Sequence, residues 1–502
     1  MPSDAAATAL VRRLHPASLL FSLGSAARRL LIPGLVVLFA SGGSNAELWF
    51  MVLFLPAALA ALARYISYRY RLGEEDIVIR EGIVTRNERH IPYARIQNIN
   101  LVQNPVHRML GVSEVHLETA SGDKPEAVIR VLSIAAIERI RTQVFRDRAA
   151  GEAGSAESVA AAAPRVLLQM NLGDLVLYGL LSNRGTALVA AALGLLTQLD
   201  LGFEERIEAL PRFLAEHGQL LPRPGPWITV LAVFATLVTL LLGLRLLSTV
   251  WSVLKFGGFI LTRRDEDLRA RYGLLTRISA TVPRHRVQLL STASRPLHRL
   301  CGRASVQVET AGGGGGGGAE GGAAVDRLWL APLLRAHQVE PLLNEVFPEV
   351  AFSALHWQPL APRARRRILF RGSFVALLLT AIAVAALGPW GAALAALALP
   401  WAWIHARLFV RHTAWALTDS AVVYRSGWWN RRLSVVRFAK VQALSLHQTP
   451  FDRRHGMATV QVDTAGAGRS GHRVDIGYLA LTAAHGIVDE ISAAASRTAF
   501  RW

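Results

Sequence analysis

One eight-residue pattern occurs three times in this chain and decides its organisation. It reads His90-Ile-Pro-Tyr-Ala-Arg-Ile-Gln97, then Thr281-Val-Pro-Arg-His-Arg-Val-Gln288, and then Val435-Val-Arg-Phe-Ala-Lys-Val-Gln442. A second motif follows each copy at a fixed offset: Asn104-Pro-Val-His-Arg-Met-Leu-Gly111, Arg295-Pro-Leu-His-Arg-Leu-Cys-Gly302 and Thr449-Pro-Phe-Asp-Arg-Arg-His-Gly456. A third follows in turn: Val115-His-Leu-Glu-Thr-Ala120, Val306-Gln-Val-Glu-Thr-Ala311 and Val460-Gln-Val-Asp-Thr-Ala465. Agreement at so many equal offsets predicts three copies of one structural unit.

Each copy has the pattern of a small antiparallel β unit that ends in a helix. A glycine corner precedes the first motif, at Gly82, Gly273 and Gly427. The alternation of apolar and polar residues at 306–309 and 460–463 is typical of half-buried strands. Helix-like segments follow at 133–146, 330–347 and 479–495. Because an antiparallel sheet must cover its open face and edges, we expect a small barrel or split sandwich capped by that helix.

The composition indicates a membrane protein. The chain has 502 residues, of which 52% are hydrophobic and 18% are charged, and its mean hydropathy is +0.31. Soluble proteins carry about 25% charged residues, and disordered chains have low hydrophobicity. A single cysteine, Cys301, excludes an internal disulfide and a cysteine-rich zinc site.

Apolar stretches without charged residues predict the membrane spans. They cover residues 30–46, 48–63, 185–199, 226–244 and 372–406. The last is too long for one helix and is interrupted at 388–391 by Gly-Pro-Trp-Gly. We therefore expect six spans in three helical hairpins, with arginines at their ends that can reach the headgroups. The alternative is three hairpins buried inside a soluble body.

The charges between the stretches predict the orientation. The tips at 41–47 and 388–391 contain no lysine or arginine, and the tip at 200–226 has three arginines against five acidic residues. Nearly all other basic residues lie on the opposite side, which by the positive-inside rule is the cytoplasm. The N-terminal region lacks the features of a cleavable signal peptide. The sequence thus predicts a multi-pass protein of the bacterial inner (plasma) membrane, with both termini and all three β units in the cytoplasm.

The repeated signatures resemble those of a known family. The order of strands and helix, with Pro-x-x-Arg-Ile/Val-Gln and Val-x-Leu/Val-Glu-Thr-Ala, is similar to the bacterial pleckstrin-homology-like (PH-like) domains of YdbS/YdbT-type membrane proteins. The triplication is similar to the YdbT arrangement. The third copy departs from the pattern, with Arg437 in place of the proline and Lys440 in place of the arginine. The resemblance implies a smaller YdbS-like partner with two spans and one PH-like domain, and a role in envelope integrity or resistance to toxic peptides.

These observations predict a division of the chain. We expect an N-terminal segment with hairpin 1 at 1–68, a PH-like domain at 69–148, a flexible linker at 149–164, and hairpin 2 at 165–257. A second PH-like domain at 258–348, hairpin 3 at 349–412 and a third PH-like domain at 413–497 complete it. The linker is rich in alanine, glycine, serine and glutamate, which favours flexibility.

No recognisable catalytic motif is present in the sequence. The G-x-G-x-x-G match at 466–471 lies between two predicted strands, whereas a dinucleotide site needs a helix after it. The seven glycines at 312–318 lack the Lys-Ser/Thr ending of a P-loop and predict an extended hairpin loop. The histidines are scattered. We therefore predict no enzyme activity, no catalytic residue, no cofactor and no metal.

Basic residues at matching offsets are the candidate site. They are Arg95, Arg286 and Lys440 in the first motif, and Arg108, Arg299 and Arg453 in the second. Near an anionic membrane each contributes about 1 kcal/mol of attraction, so they are candidates for binding lipid or partner proteins. The alternative is that they form internal salt bridges or cap strand ends.

The leading hypothesis is a non-enzymatic scaffold for protein partners or anionic lipid, and the alternative is a transporter or lipid-handling protein that uses the six spans. A net charge of +19 also fits a nucleic-acid binder. The basic residues are spread along the chain rather than gathered in one patch, so no nucleic-acid partner is expected.

Overall fold

The computed structural model describes residues 46–73, 76–82, 85–93, 96–119, 127–133, 135–137, 164–198, 225–310, 328–464 and 473–497, with a few residues before residue 31. Several predicted features lie wholly or mostly outside these residues: the first span, Arg95, the end of the first capping helix, the linker, the tip at 200–224, the glycine run and the turn at 466–471.

The same order of seven strands occurs three times, with one or more helices after the first strand and a short helix after the fifth. In module 1 it runs β1 Arg12–Arg13, α1 Ala46–Ser67, β2 Arg69–Leu72, β3 Asp76–Glu81, β4 Asn87–Pro92, β5 Ile96–Gln103, α2 Pro105–Met109, β6 Val112–Thr119 and β7 Ala127–Ser133. Module 2 has β8 Arg165–Gln169, α3 Leu172–Leu181, α4 Arg184–Gln198, α5 Pro226–Phe256, β9 Ile260–Arg264, β10 Asp267–Tyr272, β11 Arg277–Pro283, β12 Val287–Ser294, α6 Pro296–Leu300, β13 Arg303–Thr310, β14 Leu328–Arg335 and α7 Val339–Val346. Module 3 has β15 Gln358–Pro359, α8 Ala364–Leu387, α9 Ala393–His412, β16 Ala414–Leu417, β17 Ala421–Ser426, β18 Arg431–Arg437, β19 Val441–His447, α10 Pro450–His455, β20 Met457–Thr464, β21 Val474–Ala480 and α11 Leu481–Arg497.

The predicted internal repeat is therefore confirmed, and the glycine corners show why it is so regular. Gly82, Gly273 and Gly427 have φ angles of +98°, +108° and +81°. A Cβ atom at Gly273 would lie 1.9 Å from the Thr276 carbonyl oxygen, and the two equivalent corners have the same kind of conflict. An L-residue rarely adopts this backbone, so glycine is required at the turn.

The prediction of six membrane spans is wrong. Within the described residues, two helical segments are long and apolar enough to cross a membrane, Val230–Phe256 and Ala364–His412. The second consists of α8 and α9, joined by a 3-10 turn at Gly388–Ala392. The described part of helix α4 has 15 residues, about 22 Å at 1.5 Å per residue, which is shorter than a hydrocarbon core of about 30 Å. In α1, the apolar part whose side chains are described, Leu55–Ser67, is also too short.

Each module begins one strand earlier than the sequence predicts. Strands β1, β8 and β15 precede the helical segments and pair with β2, β9 and β16. The predicted second capping helix also starts late, because residues 328–335 form strand β14 and the helix is limited to Val339–Val346. A module thus consists of a front sheet of four strands and a back sheet of three, with helices between its first two strands.

The sheets continue from one module into the next. The back sheet of module 1 and the front sheet of module 2 form one seven-stranded sheet in the order β7-β6-β5-β11-β10-β9-β8. Modules 2 and 3 are joined in the same way, in the order β14-β13-β12-β18-β17-β16-β15. The front sheet β1-β2-β3-β4 and the back sheet β19-β20-β21 remain at the two ends of the chain.

The two junctions have one register. Arg277 of β11 lies opposite Gln103 of β5, and Arg431 of β18 lies opposite Ser294 of β12; these four residues occupy equivalent positions in the repeat. The apolar core also crosses the junction. Leu289 of β12, in module 2, is 1% exposed and packs in the apolar core of module 3. Neighbouring modules are therefore joined by main-chain hydrogen bonds, and at the second junction also by apolar packing.

Candidate membrane-facing rim and inter-module contacts

Arg437 clamps modules 2 and 3 together. Its Nη1 donates to the carbonyl of Arg284 over 2.6 Å, and its Nη2 donates to the carbonyl of Val346 over 3.0 Å. Its Nε lies 2.5 Å from the Glu349 carboxylate, and the guanidinium stacks 4.2 Å from the centre of the Phe347 ring. A planar guanidinium can satisfy all four contacts at once. The residue that departs from the repeat pattern is thus the one that holds the second junction.

Two of the predicted basic residues make equivalent contacts at the two junctions. Arg108, in helix α2, donates to the carbonyl of Leu274 over 3.1 Å. Arg299, in helix α6, donates to the carbonyl of Trp428 over 2.7 Å. Leu274 and Trp428 each follow the glycine corner of the next module. The arginine of the second motif therefore binds the corner of the module that comes after it.

The helices that carry these arginines are built by local sequence. Each begins with proline at the first position, where the missing N–H costs nothing. Asn104 and Thr449 form capping boxes at the first and third helix. Gly111, Gly302 and Gly456 end them, with φ near +60°. This frame fixes the position of the arginine relative to the strand before it.

The glycine corners contact the apolar helices. The Leu274 N–H donates to the carbonyl of Leu254 in α5 over 3.0 Å. The Trp428 Nε1 lies 2.9 Å from Nδ1 of His405 in α9. The ring centres of Trp401 and Trp428 are 5.6 Å apart, and those of Trp401 and Trp429 are 6.0 Å apart. Tryptophans are enriched at membrane interfaces, and these lie beside a candidate span.

Exposed apolar side chains continue from these corners along the short helices. We call this set the apolar rim. Its members are Val106, Met109, Leu110, Leu274, Leu275, Leu297, Leu300, Trp429 and Phe451. Met109 and Leu300, at equivalent positions of α2 and α6, are 87% and 83% exposed. Large apolar side chains exposed in this way are typical of a surface that contacts a membrane or another protein.

The other four predicted basic residues have different surroundings. Arg286 is buried at 9% exposure in a 3-10 turn before β12. Lys440 is half-buried, and burial together with the charges of Arg437 and Arg286 lowers its pKa. Arg453 is exposed on α10, and Arg95 lies outside the described residues. Contact of any of the six with lipid or with another protein stays a prediction.

Short helices pack on α5 through small residues. A Cβ atom at Gly179 of α3 would lie 2.3 Å from the Thr249 Cα. Ser252 donates to the carbonyl of Leu175 over 2.6 Å, and Arg245 Nη1 donates to the carbonyls of Leu180 and Ser182. The polar side chains of this seam are therefore bonded to the main chain of the neighbouring helices.

Other candidate chemistry is sparse in the part of the chain that is described. That part contains no group of three or more histidine, cysteine or acidic side chains placed to hold a metal ion. Cys301 is a free, exposed thiol. Burial lowers the pKa of His107 and of His298, which occupy equivalent positions in α2 and α6.

Sequence reasoning missed the junction contacts. The pattern of β5, β12 and β19 is the same whether such a strand closes its own module or pairs with the next. One signal was present: Arg437 interrupts an otherwise repeated proline position, and its side chain binds acceptors in the preceding module.

Comparison with known proteins agrees with the repeat. The sequence profile of the Bacterial PH domain family matches residues 18–148, 213–346 and 373–495, which is most of the chain. The chain is 22% identical over 469 residues to the transmembrane protein YdbT of Bacillus subtilis (strain 168), covering 89% of this chain and 92% of that protein. No solved structure matches it significantly. With three matched copies, each containing a front and a back sheet, the chain belongs to the bacterial PH domain family and is a YdbT-like membrane protein.

Proposed function

We propose that this membrane protein is a non-enzymatic scaffold, whose three PH-like modules form one platform on the cytoplasmic side of the bacterial plasma membrane. The observation that carries the proposal is the continuity of the two seven-stranded sheets. Modules that share sheets lie on the same side of the membrane and keep fixed positions relative to one another. Such a body presents its surfaces at constant spacing, which is what a scaffold needs.

The apolar rim supports contact of this platform with lipid. Its residues lie on the glycine corners and on the short helices, and the corners contact α5 and α9. Helices α5 and α9 themselves expose apolar side chains along their length. In the apolar windows of the two candidate spans, 0% and 11% of the residues are buried. Burial of apolar surface in the interface stabilises by about 25 cal/mol per Å².

The alternative, a transporter or lipid-handling protein, has less support. A conduit for polar substrates usually has polar or ionisable residues inside the membrane that face it. Ser252 and Arg245 of α5 instead donate to the main chain of α3 and of the segment that follows it, and Ser248 accepts from the Gly185 N–H. We therefore keep the scaffold as the proposed function.

The partner that the scaffold would hold is proposed from resemblance. YdbS/YdbT-type proteins suggest a smaller two-span protein with one PH-like domain, and a role in envelope integrity or toxic-peptide resistance. A test is to purify the full chain from native membranes in mild detergent and to ask whether such a protein co-purifies in stoichiometric amount. Recovery of the chain without any stoichiometric second protein would contradict the hetero-complex.

The platform itself is tested by its position relative to lipid. We would place an environment-sensitive fluorophore at Leu300→Cys or Met109→Cys, in a Cys301→Ser background and in nanodiscs that contain spin-labelled lipid. Quenching is expected at both rim positions and not at the control, Glu340→Cys, an exposed position on α7. Equal quenching at all three positions would refute the lipid contact.

The side of the membrane is tested with the same control variant. A membrane-impermeant maleimide should label Glu340→Cys in inside-out vesicles but not in intact cells. Labelling in intact cells would place the modules outside and overturn the cytoplasmic assignment.

A further inference from the structure

The two ends of the chain carry the two halves of a junction. At each internal junction, the fifth strand of one module pairs with the fourth strand of the next, as β5 with β11 and β12 with β18. Strand β4 has β3 on one side, and β19 has β20 on one side. Among the described residues, no strand pairs with the second edge of either. Module 1 thus retains an unfilled fourth strand, and module 3 retains an unfilled fifth strand.

We propose that β19 of one copy of this protein pairs with β4 of a second copy, so that chains join head to tail through a junction of the same kind as the two internal ones. This association extends beyond the proposed scaffold function, and it does not depend on any bound partner. The contact is heterologous, so it can continue from copy to copy along the membrane.

The state of the two strands supports an open edge. Ser434 of β18, inside a junction, is 3% exposed. Its equivalent in β4 is Arg89, which is exposed, as are Asn87, Glu88 and His90. On β19, Ala443, Ser445 and His447 are exposed, whereas Leu289, the equivalent of Ala443 in β12, is fully packed. An exposed row of main-chain donors and acceptors is a site for strand addition.

The internal register fixes the register between copies. Ser291 pairs with Ser434 in the second junction, and the equivalent pair between copies is Ser445 with Arg89. In the same frame, Gln448 lies opposite Arg86, as Gln103 lies opposite Arg277 in the first junction. Arginine facing a neutral residue is therefore already a feature of this kind of junction, since Arg431 also faces Ser294. The arginines of β4 are therefore compatible with the neutral residues that β19 would place opposite them.

The arginine of the second motif adds an independent feature. Arg108 and Arg299 each bind the corner of the following module. The third member, Arg453, is exposed, and its side chain forms no hydrogen bond or ion pair with another described residue. In the head-to-tail arrangement Arg453 faces the glycine corner of module 1, at Gly82, in the second copy.

Cysteine cross-linking in native membranes tests the proposal. Two differently tagged full-length copies, both Cys301→Ser, are produced together, one with Ser445→Cys and the other with Arg89→Cys. Mild oxidation should give a disulfide-linked pair that carries both tags, because directly opposed strand residues lie within the Cα distance that a disulfide needs. Replacing Arg89→Cys by Asn87→Cys shifts the register by two residues and should reduce the product several-fold.

The second internal junction supplies the matched control. Ser291→Cys and Ser434→Cys in one chain occupy the equivalent positions and should form a disulfide within that chain, which also shows that the variants fold. If the internal pair forms and the tagged pair does not, the proposal is refuted. Cross-linking of Ser445→Cys to a different protein instead would also refute it, because another occupant would then fill the edge.

The role of Arg453 is tested in the same assay. Arg453→Ala should reduce cross-linking between copies by about tenfold, as expected for loss of a charged hydrogen bond. Arg454→Ala, at the exposed neighbouring position, should leave it unchanged. Equal effects of the two substitutions would show that Arg453 has no place at the contact.

Discussion

Arg437→Ala removes the clamp between modules 2 and 3 without changing any strand. The wild-type side chain is 12% exposed and binds three carbonyls, one carboxylate and one aromatic ring across the junction. The substitution leaves the carbonyls of Arg284 and Val346 without their charged donor. It also leaves the carboxylate of Glu349, whose side chain is 33% exposed, without its ion-pair partner.

The expected loss follows from these contacts. Breaking a fully buried charged pair costs about 3–5 kcal/mol. The cost for this pair is lower, because the Glu349 carboxylate that remains is partly in water. Leaving a carbonyl unsatisfied costs about 1–3 kcal/mol, but the contributions of one side chain are not additive. We therefore expect opening of the junction to become easier by about 3 kcal/mol, which corresponds to roughly a hundredfold.

Hydrogen exchange of the full chain in nanodiscs measures this opening. The amides of β12 and β18 should exchange about a hundredfold faster in Arg437→Ala than in the wild type. Those of β10 and β11, near the first junction, should be unchanged. Arg432→Ala, exposed on the same strand, is the control. If exchange in β12 and β18 changes less than threefold, or changes equally in the control, Arg437 does not hold the junction.

Three further predictions use equivalent or neighbouring positions as controls. Gly273→Ala should lower the thermal midpoint of the intact protein more than Gly258→Ala, because both have positive φ but only the Cβ at residue 273 meets a carbonyl oxygen; equal midpoints would contradict this. Gly179→Ala should weaken packing of α3 on α5, whereas Gly243→Ala, with nothing within 4 Å, should be neutral or slightly stabilising; comparison of their thermal midpoints checks this. Burial and the Arg295 charge lower the pKa of His298 below 6.5, so its neutral ring contributes stability that is complete above pH 6.5 and is lost as the pH falls through the lowered pKa. Amide protection of β13 should therefore fall as the pH is lowered below 6.5, and His298→Gln should flatten that profile; a profile that is unchanged by the substitution would contradict it.

The repeat and the β modules could be predicted because they are properties of local sequence. The glycine corners, the Pro-initiated short helices and the alternating strands each recur at fixed offsets, and each has a local physical cause. Gly273 and Gly302, for example, have positive φ angles, a conformation for which the repeated glycine in the sequence is already evidence.

The number of spans could not be predicted from apolar composition alone. Residues 185–199 satisfy the hydropathy criterion, but the described part of helix α4, Arg184–Gln198, has 15 residues and packs beside α5. Hydropathy reports that a segment is apolar and does not distinguish a helix that crosses the lipid from a shorter apolar helix.

The joining of modules through shared sheets could not be predicted from the sequence. A strand such as Val287–Ser294 has the same alternation whether its second edge meets its own module or the next one. The choice depends on contacts far apart in sequence, such as those of Arg437 with Arg284 and Val346. Arg108 and Arg299 occupy matching offsets in the sequence, but the corner carbonyls that they bind are identified only in three dimensions.

Sheet continuity between modules is tested most directly at the first junction, by a disulfide between Gln103→Cys and Arg277→Cys in a full-length Cys301→Ser chain. These residues are Cα partners on β5 and β11, so mild oxidation should link them rapidly within one chain. Gln103→Cys with Arg271→Cys, one strand further away on β10, should not react, since a second strand spacing adds about 4.8 Å. Absence of the first disulfide, or equal formation of both, would show that the modules do not share a sheet.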